Sequence, residues 1–353
     1  MGAMKGNDGL QFAVRSPDNR RFLDALQHRD TREASYFEAE FSPGHVSTIL
    51  GKKMSERSYL MPIEDYIEFV HRVGLDVCHL SVPWWLGREP YTDEHGMVRY
   101  KEGNIRSHAD FTRITPPDVD WARRRIEALL KRREGTRLGW SLALPTAASI
   151  IVSAMGFEAY YTAVQDDPTF VEEFLDRIEA HSQSLAEKLL SYRPDAIVLG
   201  AFVCFKSGLM MSRDLTEQLV FSRIAKHINL VRAAGIPVII HSDGDNMDVM
   251  ARWIELGVAG YHPVEPSERH SIYDYKERWG DRITLFGNID CASVLSRGTP
   301  DEVVRDTLEH LNRLSVGGGY VCGSSHDVDD NVPIENLRAM AETVAGFRRK
   351  DEG

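Results

Sequence analysis

A strand-like run followed by a helix-like run recurs eight times along these 353 residues, and that recurrence limits the fold more than any single motif. The strand-like runs are Ala34–Glu40, Val77–Val82, Leu138–Leu144, Ala196–Phe202, Pro237–Asp243, Gly260–Glu265, Ile283–Ile289 and Tyr320–Ser324. Between them, segments such as Phe170–Leu190, Leu215–Ala234, Val303–Leu314 and Ile334–Phe347 space their apolar residues three to four apart. Eight strands alternating with helices predict the α/β class, with a parallel sheet closed into a single (β/α)8 TIM barrel. The alternative is a doubly wound open sheet, but no Gly-rich turn follows the first strand to cradle a dinucleotide. Gly317-Gly318-Gly319 precedes a strand rather than opening a helix, so its context is wrong for a phosphate loop. The barrel is expected over residues 20–350, after a leader at 1–19 that opens with a cloning scar, Met1-Gly2-Ala3-Met4.

A chain of this length buries roughly three quarters of its unfolded surface and needs no covalent staples. Its four cysteines, Cys78, Cys204, Cys291 and Cys322, are scattered without a CxxC, which reads as a reducing compartment. No apolar run of ~18 residues and no signal-peptide pattern is found, so a cytoplasmic protein without a membrane span is expected. The net charge of −11 leaves no basic face for phosphates, and no nucleic-acid partner is expected. Arg123-Arg124-Arg125 and Lys131-Arg132-Arg133 read as a solvated helix face, because Ile126, Leu129 and Leu130 sit at helical spacing among them.

Barrel enzymes carry their chemistry at the C-terminal ends of the strands. There this sequence is dense in polar residues. On strand five, alternation puts His241 and Asp243 on one face, with Gly244 free to turn the chain. Such a pair serves as metal ligands or as an acid–base couple, and equally as a core His and a helix cap. On strand eight Cys322, Ser324 and His326 share a side, with His326 either a site residue or a loop His. On strand one, alternation assigns Phe37, Ala39 and Phe41 to the helix-facing side and sends Glu38 and Glu40 toward the barrel axis. A carboxylate there must be paired or metal-bound. Glu40 in an exposed loop is the competing reading. Strands six and seven end in His262-Pro263-Val264-Glu265 and Gly287-Asn288-Ile289-Asp290, so that Glu265 and Asn288 are ligand, substrate-contact or capping residues. Trp84 and Trp85 follow strand two and either stack on a substrate or pack in the core.

Several segments taken together resemble the uroporphyrinogen decarboxylase superfamily. They are PVIIHSDG at 237–244, GYHPVEP at 260–266, LFGNID at 285–290, GGYVCGSSHDV at 318–328 and VPIENLRAM at 332–340. Met155-Gly156-Phe157-Glu158, Asp167-Pro168 and KSGLMMS at 206–212 fit the same pattern, so the resemblance spans roughly residues 20–347. It implies a (β/α)8 barrel and one of two activities. True decarboxylases carry an N-terminal arginine-rich segment for substrate carboxylates. Here Arg32–Pro43 reads REASYFEAEFSP and offers acids where those arginines belong. His326 matches a family histidine on strand eight. The other branch holds cobamide-dependent methyltransferases, whose coenzyme M-linked members bind zinc through His-x-Cys on strand five and Cys on strand eight. His241, Asp243 and His326 stand at those places in this chain.

The resemblance therefore implies Zn2+ held by His241, Asp243 and His326, with Glu40 or Glu265 as a further ligand. Loss of both thiolates suits a zinc that polarises an ether or hydroxyl oxygen. Gly200-Ala201-Phe202 replaces the paired aspartates of relatives, which implies a less polar substrate pocket lined by Phe202. No Asp-x-His-x-x-Gly corrinoid motif occurs in the sequence, so the corrinoid is expected on a separate partner protein. The leading expectation is a zinc-dependent methyltransferase acting on a small methoxylated or N-methylated donor. Two alternatives remain open: a carboxy-lyase of the decarboxylase type using His326 and Asp243 as acid and base, and a barrel that only binds a ligand.

Overall fold

Eight short, mostly buried strands lie side by side in one sheet of a computed structural model that describes residues 9–12, 15–92, 98–101 and 103–349. They are β1 (Ser35–Tyr36), β2 (Val77–Ser81), β3 (Gly139–Leu144), β4 (Ala196–Gly200), β5 (Val238–His241), β6 (Gly260–His262), β7 (Thr284–Phe286) and β8 (Tyr320–Cys322). Their order is β1-β8-β7-β6-β5-β4-β3-β2, the sequence of neighbours that a (β/α)8 barrel requires. These neighbours pair in parallel: Tyr36 lies beside Cys322, Phe286 beside Val321, Leu144 beside Leu199, Gly200 beside His241, and His241 beside His262. Sequences such as AIVLG in β4 and VIIH in β5 are what parallel strands covered by helices need. The protein is an α/β TIM barrel. The expected cloning scar at residues 1–4 lies outside the described residues.

Contacts divide the chain into two compact groups. The first contains the chain up to His79, Ala128–Trp140 and everything from Thr284; the second contains Leu80–Glu127 and Ser141–Ile283. In the first, Asp76 is wholly buried and takes hydrogen bonds from Arg15 Nη2 (3.0 Å), Arg21 Nε (2.9 Å) and Nη2 (2.7 Å), and the Tyr36 N–H (3.1 Å). The Asp76 N–H in turn donates to Tyr36 O (3.2 Å). One carboxyl group thus ties the starts of β1 and β2 together. In the second group, Asp167 caps the helix Pro168–Leu189 by accepting from the Phe170 N–H (3.0 Å), with Pro168 at its first position. The basic helix Val119–Arg133 buries Ile126 and Leu129, and its arginines meet acids, Arg123 with Asp120 (3.7 Å) and Arg132 with Glu64 (2.5 Å).

Two short hairpins interrupt the alternation, Pro90–Thr92 with Val98–Tyr100 and Cys204–Phe205 with Gly208–Leu209. Among the described residues, no single helix is long and apolar enough to cross a membrane.

Strand one corrects the expected parity. Phe37 packs its ring against Phe22 (5.9 Å), His79 of β2 (5.3 Å) and Phe286 of β7 (5.7 Å). Because β8 lies between β1 and β7, side chains of β1 and β7 meet only on the concave face of the sheet. Phe37 therefore points inward, and Glu38 does not. The backbone is irregular over residues 38–40, and Phe41 then faces outward onto Phe69 at 4.8 Å.

Candidate functional site

Parallel register sets His241 of β5 directly abreast of His262 of β6. The intervening Tyr261 packs on Tyr275 of the outer helix Ile272–Trp279, so the two imidazoles occupy the opposite, inner face. Their Nδ1 atoms are 2.9 Å apart, a hydrogen bond in which one ring donates and the other accepts. The remaining ring nitrogen of His241, Nε2, stands 3.6 Å from Asp243 Oδ1. That is too long for a hydrogen bond. It is close to the separation of two ligands on one tetrahedral zinc, about 3.3–3.4 Å for bonds of about 2.0–2.1 Å. The His241–Asp243 pair therefore fits one edge of a zinc site, with His262 as the group behind the ligand.

The turn that aims Asp243 is built tightly. Gly244 has φ 78°, and a Cβ there would lie 2.5 Å from the Cys204 carbonyl oxygen, so the position excludes other residues. Asn246 is fully buried and donates to Asp243 O (2.9 Å), Ser242 O (3.2 Å) and Tyr261 Oη (3.1 Å) while accepting from Ser242 Oγ (2.9 Å). Glu265 accepts from the Gly244 N–H (2.8 Å) and meets Lys206 Nζ (3.0 Å). This ion pair and hydrogen bond occupy the carboxylate that was considered as a further ligand. Phe202 is half-buried beyond β4, and Gly200 lets β4 approach Ser149, whose Cβ a Gly200 Cβ would meet at 3.0 Å.

In the first group the strand ends carry a different cluster. Glu38 is buried, and the Ser324 N–H donates to its Oε1 (3.0 Å). The Ser324 hydroxyl contacts both Glu38 Oε2 and the His326 carbonyl oxygen. Both oxygens are acceptors for the one hydroxyl proton of Ser324. Burial pushes this carboxyl up to about 8, against the hydrogen bonds from Ser324. Glu40 is paired with Arg57, which also lies 3.9 Å from Asp327 Oδ2. Burial and then the charge of Asp327 push the Glu40 carboxyl up, against the pull of Arg57. Glu40, like Glu265, is thus held by a cation. The His326 side chain is exposed.

Asn288 is buried, with its carboxamide oxygen 2.9 Å from Nε2 of His310 on the helix Pro300–Leu314. Trp84 is buried too and donates its Nε1–H to Thr115 O (2.8 Å). Trp85 keeps partial exposure, with the Arg88 guanidinium 5.6 Å above its ring. Burial raises the thiols of Cys204 and Cys322 to about 12 and that of Cys291 to about 11, so none is a ready thiolate.

Of the residues singled out in the sequence, the structure brings His241 and Asp243 together in the second group, beside Glu265. His326 and Glu40 belong to the first. Among the described residues, no three His, Cys, Asp or Glu side chains are arranged around one point as a metal site. Three residues went unrecognised: His262 as a partner of His241, Asn246 as the clasp of the turn, and Arg57 as the counterion of Glu40. Only Asn246 had a local signal, in the run Asp243-Gly244-Asp245-Asn246 after a strand.

The family profile described as Uroporphyrinogen decarboxylase (URO-D) matches residues 60–347. The chain belongs to the uroporphyrinogen decarboxylase family. Within that enzyme family it is 25% identical over 299 residues to uroporphyrinogen decarboxylase of Methylococcus capsulatus, covering 82% of each chain. It is 20% identical over 231 residues to the methylated-thiol–coenzyme M methyltransferase of Methanosarcina mazei, covering 64% of this chain and 60% of that one. A solved structure, a methyltransferase from Methanosarcina mazei, superposes with a TM-score of 0.70 at 15% identity, covering 95% of this chain and 98% of the other. That likeness shows a shared fold.

Proposed function

We propose that this protein is a zinc-dependent methyltransferase that moves a methyl group from a small methoxylated or N-methylated compound to the corrinoid of a separate protein. The observation that carries the reading is the 3.6 Å spacing of His241 Nε2 and Asp243 Oδ1, with His262 bonded behind the imidazole. In this reading His241 and Asp243 hold the metal, while Glu265 stays with Lys206. Zinc bound there supplies a Lewis acid for the heteroatom that loses its methyl group. His241 and Asp243, fixed by His262 and by the Asn246 clasp, orient that heteroatom so that its methyl carbon faces the incoming nucleophile. Phe202 and the exposed part of Trp85 give the donor an apolar wall in place of carboxylates. In this reading a separate corrinoid protein accepts the methyl group, a partner kind that the similarity to a coenzyme M methyltransferase suggests.

The similarity to decarboxylases favours a second reading, carboxy-lyase chemistry that uses Asp243. Against it, Arg15 and Arg21 are bound to Asp76 and Arg57 to Glu40, so these guanidiniums are already matched with carboxylates.

Elemental analysis of freshly purified protein tests the proposal. It is expected to find about one zinc per chain, and less in Asp243→Ala with the fold retained. A folded wild-type protein that stays metal-free after zinc supplementation would contradict it.

A further inference from the structure

We propose that the hairpin at 204–209 is a strap that fixes the position of Asp243, and that Glu265 and Lys206 form its latch. The consequence for zinc rests on the metal reading above, whereas the strap itself does not. All of these residues belong to the second group. The two amides that follow Asp243 are both satisfied from outside the turn. The Gly244 N–H donates to Glu265 Oε2 (2.8 Å), and the Asp245 N–H donates to Phe205 O (3.0 Å). Those two acceptors are tied to each other, because Lys206, the residue after Phe205, sets its Nζ 3.0 Å from Glu265 Oε1. Turn, carboxylate, ammonium and hairpin thus form a closed ring of contacts.

Arg269 closes a second ring beside it. Its Nη1 donates to Ser207 O (3.2 Å) and its Nη2 to Asp248 Oδ2 (2.9 Å), one end on the hairpin and the other on the segment after β5. The approach is close, since a Cβ at Gly208, where φ is 115°, would lie 2.6 Å from Arg269 Nη1. A hairpin pinned this way shifts only together with the backbone that carries Asp243. Its fastenings are unequal. The Lys206 side chain is 59% exposed, so its ion pair is screened by water and salt, whereas the hydrogen bond from Gly244 to Glu265 is partly buried. Losing the ammonium therefore loosens the hairpin at small cost, and losing the carboxylate frees the turn as well.

Amide hydrogen exchange of the zinc-free protein tests the strap, with Lys206→Met, Lys206→Arg and Glu265→Ala. Lys206→Met keeps most of the side-chain length and removes the charge. The amides of 204–209 and of 243–248 are expected to exchange about two- to fivefold faster together in this variant, and to keep wild-type rates in Lys206→Arg. Glu265→Ala is expected to speed both segments at least about tenfold, because a partly buried amide loses its acceptor. Lys206→Met changes an exposed side chain and carries the test if Glu265→Ala does not fold. The helix Pro300–Leu314, in the other group, should exchange as in wild type. Wild-type rates in Lys206→Met, acceleration confined to 204–209, or equal acceleration of Pro300–Leu314 would overturn the proposal. Zinc dissociation constants by chelator competition should rise by the same factor as exchange at 243–248. Unchanged zinc affinity alongside that faster exchange would overturn the claim that the strap fixes Asp243. If the wild-type protein binds no zinc, the metal reading fails, while the exchange pattern still decides whether the hairpin is a strap.

Discussion

The carboxyl of Glu38, at the end of β1, is hydrogen-bonded by both the amide and the hydroxyl of Ser324, 286 residues further along the chain. Burial raises this carboxyl from 4.5 to about 8, against the hydrogen bonds it accepts. The folded state therefore keeps a proton that the unfolded chain loses above the ordinary carboxyl range. Its contribution to stability is complete below that range and is lost as pH rises through about 8. Glu38→Gln supplies a permanent N–H donor in the same place. Thermal melts from about pH 5 to about pH 9 should show a smaller alkaline loss of Tm for Glu38→Gln than for wild type. Parallel curves would contradict the assignment.

Asp76 is a buried carboxylate held between Arg15 and Arg21 at the start of the barrel. Removing it leaves the buried Arg15 without its ion pair and Arg21 with Glu33 alone. Asp76→Ala should cost about 3–5 kcal/mol in denaturant unfolding. A loss within the range of ordinary surface substitutions, about 0.5 kcal/mol, would mean the network is not coupled to folding.

Asn246 saturates the turn that follows β5, and its replacement leaves buried carbonyls without donors. Asn246→Ala should destabilise by about 1–3 kcal/mol. It should also weaken zinc binding, because the Asp243 backbone loses its tether. Unchanged zinc affinity in the folded variant would detach this clasp from the site.

Strands such as β4 and β5 were legible because a parallel strand under helices is buried on both faces and leaves an aliphatic run in the sequence. The parity of β1 was not. Phe37 and Phe41 are both apolar and alternate with acids, so pattern alone cannot choose which set faces the axis, and the irregular backbone at 38–40 reverses the choice between them. His241 and Asp243 were legible because both lie on one strand end. His262 acts across a strand pairing, 21 residues away, and such a contact exists only once register is set. Arg57 and Lys206 were invisible as counterions for the same reason.

The porphyrin reading makes a separate prediction. Since Arg15, Arg21 and Arg57 are engaged by acids of this chain, uroporphyrinogen should release no measurable carbon dioxide with this protein. Turnover at about 1 per second or faster would move the chain to the decarboxylase branch.

Methyl transfer itself is the most direct measurement. Zinc-loaded protein is incubated with methoxylated or N-methylated donors and reduced corrinoid, either free or bound to a corrinoid protein, and the cobalt absorbance is followed. The account predicts methylated corrinoid with at least one donor, slowly with free corrinoid and much faster with its cognate carrier protein, and loss of the reaction in Asp243→Ala. Absence of methylated corrinoid with every donor and carrier, while another reaction proceeds on the barrel alone, would contradict it.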